Sequence, residues 1–218
     1  MSPLLYTAEL DLAEPDIEPF LQWYAYRHAP DVFRAGFSTC ACYRVDDAGM
    51  NLFDIYEIPS SAVFETPWYR AMRGRDPYMA ALMAKRRNKA HTVYEQHLIA
   101  PNTSGPGLDA DGISVFRFGL NADDPEALDD AIAGALSRHQ PLMAASGLIR
   151  VRYATRGQDH PTNPTFRPRC MVVAEWAGPP PADSGIPDVL HAAAGEAIVD
   201  DSAISGSRVY PWPGRPAA

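Results

Sequence analysis

Apolar and polar residues in this chain fall into blocks of two different periods, and the blocks recur in the same order twice. Stretches 4–12 (LLYTAELDL) and 113–121 (ISVFRFGLN) are rich in β-formers and open each half. Helical spacing follows over 15–35, where Ile17, Phe20, Leu21, Tyr24 and His28 share a face. It recurs over 125–146 with Leu128, Ile132, Leu136 and His139. Asp123 or Asp124 can cap the second of these helices, with Pro125 at its first position. Each helix should stop at a left-handed glycine, Gly36 or Gly147, and Pro30 and Pro141 predict a kink or a new turn just before it. Two strand pairs come next, 37–45 with 51–58 and 148–156 with 170–177, each reading as a hairpin. The proline-rich loop 157–168 inside the second hairpin should cover something or project. A second helix follows in each half, 60–83 broken by Pro67 and Pro77, then 187–199. Strands 91–99 and 205–212 close the halves.

The predicted order is β-α-β-β-α-β twice, a ferredoxin-like split βαβ arrangement in tandem. Arg27-His28-Ala29-Pro30 and Arg138-His139-Gln140-Pro141 lie 111 residues apart, each reaching its glycine eight residues after the histidine. The expected modules are 1–103 and 104–218, with a linker of about 102–112 rich in Ser, Gly, Pro and Asp. Two helices cover only one face of such a sheet. Leaving the other face wet forfeits about 25 cal/mol per Å², so the two α+β modules are expected to pack sheet to sheet as an intramolecular barrel.

The formal charge of −8 argues against nucleic acid as a partner. A local exception, Arg70, Arg73, Arg75, Lys85, Arg86, Arg87 and Lys89, reads as a solvated face, or more sharply as attraction of an anionic substrate to a pocket mouth. There is no apolar run long enough to span a membrane and no basic, signal-like start, so a cytoplasmic protein is expected. Three cysteines, Cys40, Cys42 and Cys170, suit a reducing compartment better than a disulfide framework, and their spacing suits no zinc site.

The segment from Phe20 through Trp23-Tyr24-Ala25-Tyr26-Arg27-His28-Ala29-Pro30 to Ala35-Gly36-Phe37 resembles the EthD-like branch of the dimeric α/β-barrel superfamily, and Phe53-Asp54-Ile55-Tyr56-Glu57 resembles that family's third strand. The likeness covers about 3–99 well and the second half more thinly, through Arg138 to Pro141 and Glu175-Trp176. There Gln140 and Leu142 replace the Ala29 and Asp31 of the first half, so the second module is expected to serve as a structural lid. The resemblance implies a small-molecule pocket and a menu of activities: cofactor-free isomerases, cyclases, decarboxylases, quinone-forming monooxygenases and haem-handling proteins. It also makes a homodimer a further expectation.

Among residues that could do such chemistry, His28 leads, because a histidine at the end of the first helix can exchange protons near neutrality; the plainer role is capping the helix C-terminus. Alternation along strands supplies the rest. Arg117, Arg150 and Arg152 share one face in the second half. In the first half Thr7 and Glu9 lie opposite Tyr6 and Ala8, Asp54 and Tyr56 alternate with Phe53 and Ile55, and Glu95 and His97 alternate with Tyr94 and Gln96. Brought together between the sheets, these would form one polar cavity. His28, Tyr56 and His97 would be catalytic there, and Glu9, Asp54, Glu95, Arg117, Arg150 and Arg152 substrate-binding, with Glu57 orienting. The alternative is a set of arginine–carboxylate pairs welding the sheets. His91 and His160 receive no role; His191, on the last helix, is the residue through which a haem would bind. No Gly-rich phosphate loop, nucleophile elbow or dinucleotide fingerprint is present, so no cofactor is expected. The function read from the sequence is cofactor-independent proton transfer (isomerisation, cyclisation, dehydration or decarboxylation) on a small aromatic or polyketide-like carbonyl compound. A non-catalytic binder and a cofactorless or haem-dependent monooxygenase are the alternatives.

Overall fold

The computed structural model describes residues 2–47, 49–75, 77–101, 108–161 and 167–211. Strand β1 (Leu4–Asp11) leads into a continuous helical arm: α1 (Glu14–Trp23), a π-helical turn (Tyr24–His28) and α2 (Ala29–Ala35). Pro30 opens a new helical segment: it falls in the first turn of α2, where a missing N–H costs little, directly after the wide π-turn. Gly36, at φ 104°, caps the arm in the left-handed region, and Gly147, at φ 90°, follows the corresponding helix of the second half. Strands β2 (Thr39–Asp47) and β3 (Met50–Ile58) form a hairpin. Helices α3 (Pro67–Arg75) and α4 (Pro77–Ala84) are separated at the expected prolines, and β4 (Asn88–Ala100) closes the first half. The second half runs β5 (Gly112–Leu120), α5 (Pro125–Ala144), β6 (Leu148–Asp159), β7 (Cys170–Trp176), α6 (Ile186–Ala194) and β8 (Ile198–Tyr210). Asp124 caps α5 by accepting from the Ala127 N–H at 3.0 Å. Strand β8 begins seven residues before the expected start, because it pairs with β5 as far as Leu120 opposite Ile198.

The strands close into one antiparallel barrel in the order β1-β3-β2-β8-β5-β7-β6-β4. The expected pair of stacked sheets is therefore one sheet. Edges β2 and β8 pair with each other, as do β4 and β6, which satisfies backbone groups that stacking alone would leave bare. Part of the expected linker is structural. Residues 102–107 lie outside the described residues, but Leu108 and Ala110 are buried, and the Ala110 carbonyl accepts from the Tyr43 hydroxyl at 3.1 Å.

An eight-stranded barrel is just wide enough for side chains to fill. Tyr43, Phe53, Tyr94, Met171 and Val173 fill this one, together with charged pairs. Glu9 is held by Arg117 (2.6 Å) and Arg167. Arg152 donates to Glu57 Oε1 (2.6 Å), Glu175 Oε1 (2.5 Å) and Gln96 Oε1 (3.0 Å), and Arg150 lies 3.6 Å from Glu175. Burial opposes the charge on Arg152, but Glu175 and Glu57 more than offset it and raise its pKa. Arg152 is 1% exposed and Glu175 0%, so Arg152→Ala leaves Glu57 without this cation and Glu175 with Arg150 at 3.6 Å. We expect it to lower unfolding stability by roughly 3–5 kcal/mol in urea titrations, and simultaneous replacement of Arg150, Arg152, Glu57 and Glu175 by Met or Leu to recover most of that loss.

Candidate active site

The structure separates the polar residues that strand alternation had placed in one cavity. Glu9, Arg117, Arg150 and Arg152 face the barrel interior and pair with each other and with Glu57, Glu175 and Arg167. Glu95 and His97 point outward from β4 and are exposed; His97 Nε2 meets Thr155 Oγ1 at 2.6 Å on the neighbouring strand. Asp54 and Tyr56 also point outward, but from β3 into the space beneath the helical arm, where His28 meets Tyr56. Alternation fixed which residues share a face; closure of the barrel then put the inner and outer sets on opposite sides of one sheet.

A cavity of about 310 Å³ lies there, between the outer face of the first-half strands and the helices above. Its walls are aromatic: Tyr6, Phe20, Trp23, Phe37 and Tyr69 line it with Tyr24 and Tyr56. The π-turn carries both Tyr24 and His28 to it, their rings tilted against each other at 5.0 Å between centroids. A chain of hydroxyls and acids runs along one wall. Cys40 Sγ donates to the Tyr24 hydroxyl (3.2 Å), which donates to the Tyr56 hydroxyl (3.0 Å). The Tyr56 hydroxyl also meets His28 Nε2 at 3.1 Å and donates, over a long 3.5 Å, to Asp54 Oδ2. Asp54 Oδ1 and His28 Nδ1 are buried without a hydrogen-bond partner among the described residues.

Asp54 is 3% exposed. Burial pushes its carboxyl up to about 7, against hydrogen bonds from Cys42 and Tyr56 that lower it. Burial pulls His28 down to about 4, so its imidazole is neutral near pH 7. A carboxyl titrating near neutrality, set among aromatic rings with one oxygen unengaged, has the properties of a general base.

Sequence reading missed His91 and His160. His91 stands on β4, not in a loop, and its Nδ1 meets the Tyr6 hydroxyl at 2.5 Å. His160, just past β6, crosses from the second half, is 2% exposed, stacks on Tyr6 at 5.3 Å and meets the Tyr69 hydroxyl at 2.9 Å. The alternation of β4, extended back to Asn88, puts His91 on the face of Val93 and carries a signal for the first; nothing local signals the second.

Among the described residues, the second half keeps no matching arrangement. Strand registers align Asp54 and Tyr56 with Val172 and Ala174, and Tyr6 with Ser114. Beneath α5, Asp129 is closed off by Arg169 and by the Tyr153 hydroxyl at 2.5 Å. His139 is exposed, its Nδ1 bonded back to the Ala135 carbonyl at 3.0 Å.

No family model matches the sequence, and no curated protein does. Solved structures match along nearly its whole length. An anthrone oxidase-like protein superposes with TM-score 0.63 at 8% identity, over 96% of this chain and 92% of its own. A candidate monooxygenase from Lactobacillus acidophilus gives 0.59 at 12% identity, over 95% and 94%. A heme-binding protein from Thermus thermophilus gives 0.56 at 10% identity, over 95% and 92%. At these identities the likeness is one of fold, and the fold is that of the dimeric α/β barrels, formed here within one chain.

Haem does not fit the histidine the sequence offered for it. His191 is on the exposed side of α6, while Ile186, Val189 and Leu190 make the buried side, so iron held there would sit in solvent. His28 and His91 line the cavity, each bonded to a tyrosine through one ring nitrogen, His28 Nε2 to Tyr56 and His91 Nδ1 to Tyr6. Among the described residues, no helix is long and apolar enough to cross a membrane.

The titration of Asp54 has a consequence for stability. Between about pH 4 and 7 the folded protein holds a proton on Asp54 that the unfolded chain has released, so stability falls as pH rises through this window. Above pH 7 the buried carboxylate costs roughly 4 kcal/mol. Thermal unfolding of Asp54→Asn should therefore show a gain over the native protein that is larger at pH 8.5 than at pH 5. An equal effect at both would mean that Asp54 titrates normally.

Proposed function

We propose that this protein is a cofactor-independent enzyme that removes a proton from an activated methylene of a small planar aromatic ketone, in the cavity beneath the first helical arm. The observation that carries the reading is Asp54, a buried carboxyl near neutrality with Oδ1 unengaged in an aromatic cavity. Sequence reasoning favoured His28 as base; the geometry supports Asp54 in that role, with His28 and Tyr56 as the groups that position and relay. When Asp54 ionises, the Tyr56 hydrogen turns to Oδ2, and His28 then donates through Nε2 to the Tyr56 oxygen. Oδ1 is left to accept the proton. Flat rings along the walls favour a planar ligand by stacking. Exclusion of water strengthens every charge–dipole contact inside.

The enolate formed has two fates. Reprotonation or elimination gives the isomerase, cyclase, dehydratase or decarboxylase chemistry read from the sequence. Reaction with dioxygen gives the oxidative version, in which a CH2 loses two hydrogens and gains one oxygen as C=O while the second oxygen leaves as water. The fold neighbours, an anthrone oxidase-like protein and a candidate monooxygenase, favour the oxidative fate. The EthD-like sequence resemblance over 3–99 and the reading of 1–103 and 104–218 as tandem modules belong to this same proposal, with the second module giving support and no second active site.

Anthrone provides a test. With native protein we expect dioxygen uptake and stoichiometric anthraquinone, with kcat/KM rising with pH to a plateau about an inflection near 7. Asp54→Asn should lower kcat at least about 100-fold, and Tyr56→Phe by a smaller factor. Solvent deuterium exchange at the methylene without dioxygen uptake would select the non-oxidative fate. Anthrone binding with neither exchange nor uptake would make the protein a binder.

A further inference from the structure

The cavity has a second polar feature, which the chemistry above leaves unused. Residues 85–87, Lys-Arg-Arg, form the turn between α4 and β4. Lys85 Nζ lies 2.5 Å from Asp16 Oδ1, and Arg87 Nη2 lies 2.8 Å from Asp11 Oδ1 and 3.1 Å from the Leu12 carbonyl. Both of these side chains are more than half exposed, tied to the first turn of α1 and to the end of β1. With its neighbours held outward, Arg86 turns the other way. It is half-buried and lines the cavity, and the atom its Nη1 meets is Met83 Sδ at 3.5 Å, a weak acceptor. Among the described residues no carboxylate pairs with it. Each flanking cation has its anion; the one facing the ligand space does not.

A guanidinium half withdrawn from water with no counter-charge is unfavourable, and burial lowers the Arg86 pKa accordingly. Its planar fork matches a carboxylate in a bidentate pair. Lys89 lines the same cavity, in a chain whose formal charge is −8. Asp54, also in the wall, repels an anionic group when ionised. A ligand carboxylate therefore has one favourable orientation, towards Arg86 and away from Asp54.

We infer that Arg86 is the specificity-determining residue of this site: it holds a carboxylate carried by the planar aromatic ligand and so turns the opposite, reacting edge of that ligand towards Asp54. The inference rests on reading the cavity as the active site, but its test does not depend on turnover. The probes are 3-hydroxy-2-naphthoate and its carboxamide, titrated calorimetrically at pH 8 into the native protein and into Arg86→Gln, Arg86→Lys and Lys85→Gln. Native protein should bind the carboxylate at least about tenfold more tightly than the amide. Arg86→Gln should abolish that preference while leaving amide affinity within about twofold. Arg86→Lys, which keeps charge but not the fork, should retain part of it, and Lys85→Gln all of it. Equal binding of the two probes by native protein, or a preference that survives Arg86→Gln, overturns the role of Arg86 and leaves the Asp54 chemistry standing. An Arg86-dependent preference in a protein that turns over no anthrone keeps this inference and removes the proposed reaction. Failure of native protein to bind either probe overturns the role of Arg86 as well.

Discussion

The interior of an eight-stranded barrel offers room for side chains and little else, and in this chain the room is taken by arginine–carboxylate pairing. Arg152, with Glu57 on one side and Glu175 on the other, joins strands from both halves across the barrel. Glu9, from the first strand, is held by Arg117 and Arg167 of the second half. Removing any one member strands a charge in a low-dielectric interior, so the set stands or falls together. With the interior committed to this network, ligand space is formed on the outer surface, where a helical arm can stand off from the sheet. The π-turn at Tyr24–His28 and the aromatic walls define that space in the first half, whereas Tyr153, Asp129 and Arg169 fill the corresponding region in the second.

The two faces of β3 show how one strand serves both purposes. Phe53, Ile55 and Glu57 belong to the barrel, while Asp54 and Tyr56 belong to the cavity. The same strand in the second half, β7, keeps Met171, Val173 and Glu175 inward but carries Val172 and Ala174 outward. The inward residues are bound by packing and pairing that involve both halves. The outward ones answer only to what lies above them, and there the halves differ.

Much of this was legible in the sequence. Alternation gave the strands and the residues that share each face, helical spacing gave the arm, and Gly36 ended its helix as expected, whereas α5 stops at Ala144 and Gly147 turns left-handed three residues later. What alternation could not give was the destination of each face. It places Glu9 and Asp54 as members of polar sets, but whether those sets meet depends on how the sheet closes, a long-range property with no local period. Glu95 and His97 were misplaced for that reason. His160 was invisible for another: its partners Tyr6, Phe64 and Tyr69 are about 90 or more residues away in the chain, and nothing in its own neighbourhood marks it. Asp54 was found as a polar strand residue, yet the acid–base role proposed for it rests on its burial, which spacing does not report.

The segment that follows β6 touches both sides of the first strand. His160 lies against Tyr6 on the outer face, and Arg167 reaches Glu9 on the inner one. Two residues of the second half, His160 and Arg167, thus grip β1 as a clip grips a sheet of card, one backing the cavity residues Tyr6 and Tyr69 and the other neutralising a barrel carboxylate. The cavity is consequently a property of the entire polypeptide, although every residue that roofs it comes from the first half. The smallest piece of this chain able to present it is the complete barrel.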